Sequence, residues 1–272
     1  MRCFLSALLT LSLLTVSWAA VPYLGQPFME WSLEHAVQIL NDSPWARTES
    51  IARVIGGVGS GVSGEKEIYY TFFVRFLSAR PIREAYTRVQ LIQHGYDDLS
   101  VEEQQKFSDL IEERVELDFD RWIVVALSFR SNDPNEESRI RQYFQSQTTG
   151  TMKNNAFLST ANFTQVPMIT YFPPREEGVG ARFVFPREVD GVPLVTLDDR
   201  QITFELTSLP ASATRGGGGG GRGGRGFGGG GGRGRGGGGG GDNSPGGEDE
   251  NTGILRALFD IRAMVKDGEL SI

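Results

Sequence analysis

The sequence predicts an α+β fold with a largely antiparallel sheet, on three observations. About four helical patterns fall in the N-terminal half, short strand-like runs dominate after Gly150, and the two kinds do not alternate as a parallel sheet would require. Of 272 residues, 39% are hydrophobic and 22% charged, the balance of a soluble globular chain. Glycine is the outlier, because 21 of its 36 residues lie within 216–241.

Residues 31–40 (WSLEHAVQIL) read as the first helix, with Ser32 as N-cap and Leu33, Val37 and Leu40 on one face. Runs 50–55 and 67–77 are rich in β-branched and aromatic residues and read as strands flanking a glycine loop. Residues 81–93 place Ile82, Ala85, Tyr86, Val89 and Ile92 at helical spacing. Ser100 and Glu103 form a capping box that opens a helix with Phe107, Leu110 and Ile111 inward. Residues 122–129 (WIVVALSF) are apolar almost throughout, as a central strand would be. Asp133 and Pro134 supply an N-cap and a first helical residue for a helix burying Ile140, Tyr143 and Phe144.

Strands are expected at 156–158, 167–172, 181–185, 194–197 and 201–206. Near the C-terminus Leu255, Ala257, Phe259 and Ile261 alternate with Arg256, Leu258, Asp260 and Arg262. A helix is the alternative there, but the Asp267-Gly268 turn favours a terminal hairpin. Trp31, Trp45 and Trp122 each sit in apolar context and are expected in the core, with Trp122→Ala costing about 3 to 5 kcal/mol.

Export is the clearest functional signal. Arg2 precedes an apolar run from Phe4 to Val16, and Ser17 and Ala19 are small residues at the −3 and −1 positions of a cut after Ala19. The alternative is an uncleaved anchor, since residues 3–21 are just long enough to span a bilayer. The chain thus divides into a signal peptide (1–19), an α+β domain (20–214), a disordered Gly/Arg-rich insertion with an acidic linker (215–251), and C-terminal strands completing the β region (252–272).

Three segments, 39–46 (ILNDSPWA), 73–85 (FVRFLSARPIREA) and 180–187 (GARFVFPR), resemble a family of uncharacterised exported proteins of acidobacterial type. The resemblance covers roughly residues 25–210 and the last 20, and the first two segments are its more specific parts. It implies export and brings no activity. The Gly/Arg tract is not a feature of that family, which favours an insertion.

Several chemistries are excluded by composition. The only cysteine is Cys3, ahead of the apolar run, and the only histidines are His35 and His94, so a Cys2His2 site, a Cys–His pair and a disulfide framework cannot form. Residues 59–64 match G-x-G-x-x-G, but a strand pattern follows where a dinucleotide site needs a helix N-terminus, so a hairpin loop is expected. Neither a P-loop nor a G-x-S-x-G elbow occurs. His94, before Gly95, reads as a helix C-terminal residue, and His35 lies beside Glu34. Ten carboxylates between Asp97 and Asp120 read as a solvated acidic face, with a weak divalent-cation site as the sharper alternative. The pairs Asp198-Asp199 and Glu176-Glu177 are hydrolase candidates only as adjacent turn residues. No catalytic, metal-ligating or cofactor-binding residue is assigned.

The tract holds Arg215, Arg222, Arg225, Arg233 and Arg235 with one aromatic, Phe227, and resembles the RGG boxes of RNA-binding proteins. Outside the tract and the leader, 21 basic residues face 34 acidic ones, a field that repels nucleic acid. A passive loop is therefore preferred over polyanion binding through those five arginines.

Three functions stay open. The leading one is an exported, non-enzymatic protein that binds or packs against an envelope protein or polymer, which calls for an exposed apolar or aromatic patch. The alternatives are a hydrolase of envelope or extracellular polymer, and polyanion binding through the tract. Edman sequencing of exported protein is expected to begin at Ala20 or Val21, and a sequence beginning at Met1 would overturn cleavage.

Overall fold

A computed structural model describes residues 25–55, 66–175, 180–210, 253–266 and 269–272. The expected signal segment 1–19, the glycine loop, Glu176-Glu177, the Gly/Arg tract and the expected Asp267-Gly268 turn lie outside the described residues.

The chain runs α1 (Leu33–Asn41), β1 (Ala46–Ile55), β2 (Lys66–Phe76), α2 (Arg80–Gln93), α3 (Val101–Gln105), α4 (Ser108–Val115), β3 (Trp122–Ser131), α5 (Pro134–Ser146) and α6 (Thr149–Met152). Strands then dominate: β4 (Ala156–Ser159), β5 (Val166–Pro167), β6 (Thr170–Phe172), β7 (Ala181–Pro186), β8 (Glu188–Val189), β9 (Val192–Pro193), β10 (Gln201–Leu206), β11 (Leu255–Asp260), β12 (Val265–Lys266) and β13 (Glu269–Leu270). The fold is α+β as expected, with all pairing antiparallel.

Five strands in the order β1-β2-β3-β7-β6 make the main sheet, and β11-β10-β4-β5 make a second. The apolar run 122–129 is the middle strand of the first, flanked by β2 and β7. Alternation sets two faces. One carries Tyr70, Phe72, Val74 and Phe76 beside Ile123, Val125, Leu127 and Phe129, then Phe183, Phe185 and Tyr171. This face packs on the second sheet through Phe76 against Phe259 (ring centroids 4.7 Å apart) and Phe183 against Phe204 (5.4 Å). Helix α5 closes the same side, with Phe144 stacked on Phe129 at 5.6 Å and Tyr70 donating to the Glu136 carboxylate.

The caps read from sequence form. Ser32 Oγ accepts from the His35 amide, Ser100 and Glu103 make the reciprocal capping box, and Asp133 accepts from the Asn135 and Glu136 amides with Pro134 in the first helical turn. His94 is the C-terminal cap of α2, followed by Gly95 in the left-handed region at φ 71°. Strand β1 opposes β2 from Ala46↔Arg75 to Ile55↔Lys66, so the glycine loop joins two paired strands as a hairpin. Strands β10 and β11 pair from Leu206↔Leu255 to Gln201↔Asp260, so the tract interrupts a hairpin. The C-terminal alternation is a strand, and β12 pairs with β13.

Other expectations need correcting. Helix α1 buries Ala36, Ile39 and Leu40, whereas Leu33 and Val37 are exposed, because the capped helix meets its neighbours along a stripe rotated from the apolar face. Phe107 and Leu110 are also exposed, since the helix after the capping box breaks into α3 and α4 at Lys106-Phe107. Segment 167–172 divides between the two sheets, Pro167 pairing in the second and Thr170 in the first. Leu194 to Leu197 is no strand: the Asp199 carboxylate accepts from both the amide and hydroxyl of Thr196 at 2.9 Å and holds a turn there.

Trp31 and Trp45 are core residues, at 0% and 1% exposure, but Trp122 is 36% exposed on the other side of the main sheet. Trp45 also donates its indole N–H to the Ser271 carbonyl. In urea unfolding, Trp45→Ala is expected to lose about 3 to 5 kcal/mol, and Trp122→Ala less than half as much. Equal losses would contradict this placement. Deleting residues 216–241 shortens the 207–254 connection, and because loop entropy is logarithmic the pairing of β10 with β11 should survive with a gain of at most about 0.7 kcal/mol. Loss of cooperative unfolding in that deletion would show that the tract contributes packing.

Candidate functional site

The second face of the main sheet is only partly covered. Reading across the strands, one row is Ala46, Arg75, Ala126, Arg182 and Phe172; the next is Thr48, Phe73 and Ser128; then come Ser50, Thr71 and Arg130. Helices α1 and α2 close over the first row at β2, where Arg75 is 6% exposed. Arg75 donates to the Leu40 carbonyl, to Asn41 Oδ1 at 2.8 Å, to Tyr86 Oη at 3.0 Å and to Ser128 Oγ at 2.6 Å. Every one of these acceptors is neutral. Burial lowers the Arg75 pKa, the Tyr86 hydroxyl opposes that, and the charge of Arg130 adds to the lowering. Leu40 and Asn41 end α1, so the cation also meets the negative end of that helix.

Beyond Arg75 the face is open. Thr48, Ser50, Ala52, Tyr69, Arg130 and Phe172 are exposed, and Thr71, Phe73, Ser128 and Arg182 are half-buried. The Arg182 guanidinium lies 4.9 Å from the Phe172 ring centroid, and Arg75 lies 4.9 Å from that of Phe73. Burial, and then Arg175, lower the pKa of Arg182. Neither Arg130 nor Arg182 makes an ion pair or a side-chain hydrogen bond with a described residue. A guanidinium stacked on a ring keeps its N–H edges outward, so Arg182 can grip a carboxylate in bidentate fashion. Glu67, two residues before Tyr69 on the same side of β2, brings a carboxylate to the far end of this face and hydrogen-bonds the Tyr69 side chain. Gly180 opens β7 opposite Ser128 at φ 96°, where a Cβ would stand 2.2 Å from the Leu127 carbonyl oxygen. Only glycine lets the chain enter the sheet that closely.

Two of the hollows among the described residues border several charged or aromatic side chains. One of about 300 Å³, between α2 and α3–α4, is lined by Leu91, His94, Tyr96, Phe107 and Arg114. The other, of about 560 Å³, is bordered by Arg80, Arg83, Glu116, Asp120, Arg187 and Ile272. Two of its carboxylates are engaged: Glu116 pairs with Arg80 at 2.7 Å, and Asp118, which also borders it, accepts from the Asp120 amide at 2.7 Å.

The residues singled out in the sequence do not converge. His35 is on α1 and His94 ends α2. Asp199 is a buried turn-former whose neighbour Asp198 is not (2% exposed against exposed). In the acidic run, Asp97 pairs with Arg88, which lowers its pKa by hydrogen bonding, and Glu103 is consumed by its cap. Among the described residues no group of three or more His, Cys, Asp or Glu side chains could hold a metal ion. Arg215, Arg222, Arg225, Arg233 and Arg235 lie outside the described residues.

The open face was missed because β2 (KEIYYTFFVRF) is aromatic on both sides, a pattern that reads as burial on both. No helix of the described residues is long and apolar enough to cross a membrane. Comparison with known protein families, curated proteins and solved structures finds no match.

Replacing Arg75 with Met leaves four acceptors without their donor and is expected to cost about 2 to 4 kcal/mol. Arg75→Lys should recover less than half of that, because an ammonium cannot reproduce the planar fork. Urea midpoints close to wild type for both variants would overturn this role.

Proposed function

We propose that this is an exported, non-enzymatic protein that binds a component of the cell envelope, with the uncovered face of the main sheet as its binding surface. The observation that carries the reading is a set of exposed rings on one plane with arginines that form no ion pair with a described residue: Tyr69 at 45% and Phe172 at 44% exposure, with Arg130 and Arg182 between and beside them. Aromatic and arginine side chains are the groups that dominate binding energy when a flat surface is desolvated. Strands β2, β3, β7 and β6 hold them in fixed register, so little order need be imposed on binding. The leader-like segment 1–19 supports export, and a mature chain without cysteine suits a compartment where disulfides would otherwise form.

The test immobilises the wild-type chain and a Tyr69→Ser/Phe172→Ser/Arg182→Ser variant, each loaded with a solubilised envelope fraction. Wild type is expected to retain a component that the variant releases. Equal retention by both, or retention by neither, would overturn the reading.

A further inference from the structure

We infer that the open face of the main sheet binds an acidic polysaccharide bearing sparse carboxylates; this rests on the binding reading above. The first ground is unpaired charge. Arg130 and Arg182 form no ion pair with a described residue, Arg175 adds to the field at Arg182, and Arg75 beneath them is satisfied by neutral acceptors alone. Positive charge therefore collects around Arg75, Arg130 and Arg182, with Glu67 at the far end of the face, on a chain that is net negative, and an anion gains there what it would lose elsewhere.

Spacing makes the anion sparse. Arg182 opposes Ala126, and Arg130 lies four residues farther along β3, which places their Cα atoms about 14 Å apart by sheet geometry. Nucleic acid packs its charge far more densely, about one per 1.7 Å of duplex axis, and so few cations could not offset repulsion by the remaining acidic surface. A polymer with separated carboxylates meets one guanidinium at a time, each capable of a bidentate grip.

The surface between the cations suits sugar rings. Tyr69, Phe73 and Phe172 offer flat apolar platforms for the C–H faces of pyranose rings, as aromatic side chains do where one side of a ligand is apolar and its edge is wet. Ser50, Thr71 and Thr170 share the plane with hydroxyls that make no side-chain hydrogen bond with a described residue. A neutral apolar partner would leave both arginines desolvated and unpaired, at a cost that excludes it.

The experiment measures binding of the full chain to polygalacturonate at about 0.15 M salt, beside neutral dextran and single-stranded DNA. Wild type is expected to bind polygalacturonate and not dextran. Arg130→Gln/Arg182→Gln and Tyr69→Ser/Phe172→Ser should each weaken binding at least tenfold. Both change exposed or half-exposed side chains, and unchanged urea midpoints would establish that they fold. A variant with the five tract arginines replaced by glutamine should bind as wild type does.

Three results would overturn the inference: undiminished binding by both face variants, binding lost only with the tract arginines, or DNA bound more tightly than polygalacturonate. If polygalacturonate fails to bind while the envelope component is still retained through the face, the ligand class falls and the binding surface stands. If neither depends on the face, both fall.

Discussion

Three buried arginines hold the helical layer together and, through Arg75, tie it to the main sheet, and most of the remaining architecture depends on where they end. Arg75, from β2, reaches the last carbonyls of α1. Arg83, from the first turns of α2, donates to the Val115 carbonyl at the end of α4 at 2.8 Å and to the Ser78 carbonyl. Arg88 holds the Trp31 carbonyl at 2.7 Å just before α1 and pairs with both oxygens of Asp97. Burying a cation is costly unless all its donors are used, so each guanidinium is satisfied only when the elements it bridges are in place. Helices α1, α2 and α4 are therefore positioned by carbonyls converging on arginine, as well as by apolar contact.

That arrangement decides which part of the main sheet is covered. Its inner face is filled by the second sheet and α5 through Phe76, Phe129, Phe183 and their partners. On the outer face the helices stop at Arg75, because that side chain must meet the end of α1. Thr71, Phe73, Arg130, Arg182 and Phe172 lie past that limit. The same strands thus build the core with one set of residues and present an arginine-aromatic plane with the other. Stability and the proposed binding share a boundary at Arg75, with Arg130 acting on it electrostatically from the open side.

The second sheet accounts for how the long Gly/Arg-rich connection is accommodated. Strands β10 and β11 pair over six positions from Leu206↔Leu255, and their inward residues Ile202, Phe204, Leu206, Leu255, Ala257 and Phe259 are all buried. The stabilisation lies in side-chain packing, while the cost of closing a longer connection grows only with the logarithm of its length. A hairpin with so much buried apolar surface can carry a long connection without losing its register.

What the sequence determined by itself is local. The caps at Ser32, Ser100 and Asp133, the central strand at 122–129 and the interrupted terminal pairing all follow from groups within a few residues, where propensity, capping and alternation act directly. Which face of an element is buried was not determined in that way. Leu33 and Val37 have the right spacing yet face outward, Trp122 stands at the exposed end of an otherwise buried strand, and Arg75, Arg83 and Arg88 are inside. Only the tertiary structure decided these, because a long charged side chain can be buried solely where sequence-distant carbonyls meet it, and a ring is exposed solely where no other element arrives to cover it. The aromatic-arginine face is legible as residues in the sequence, but as a surface it exists only once the helices have stopped short of it.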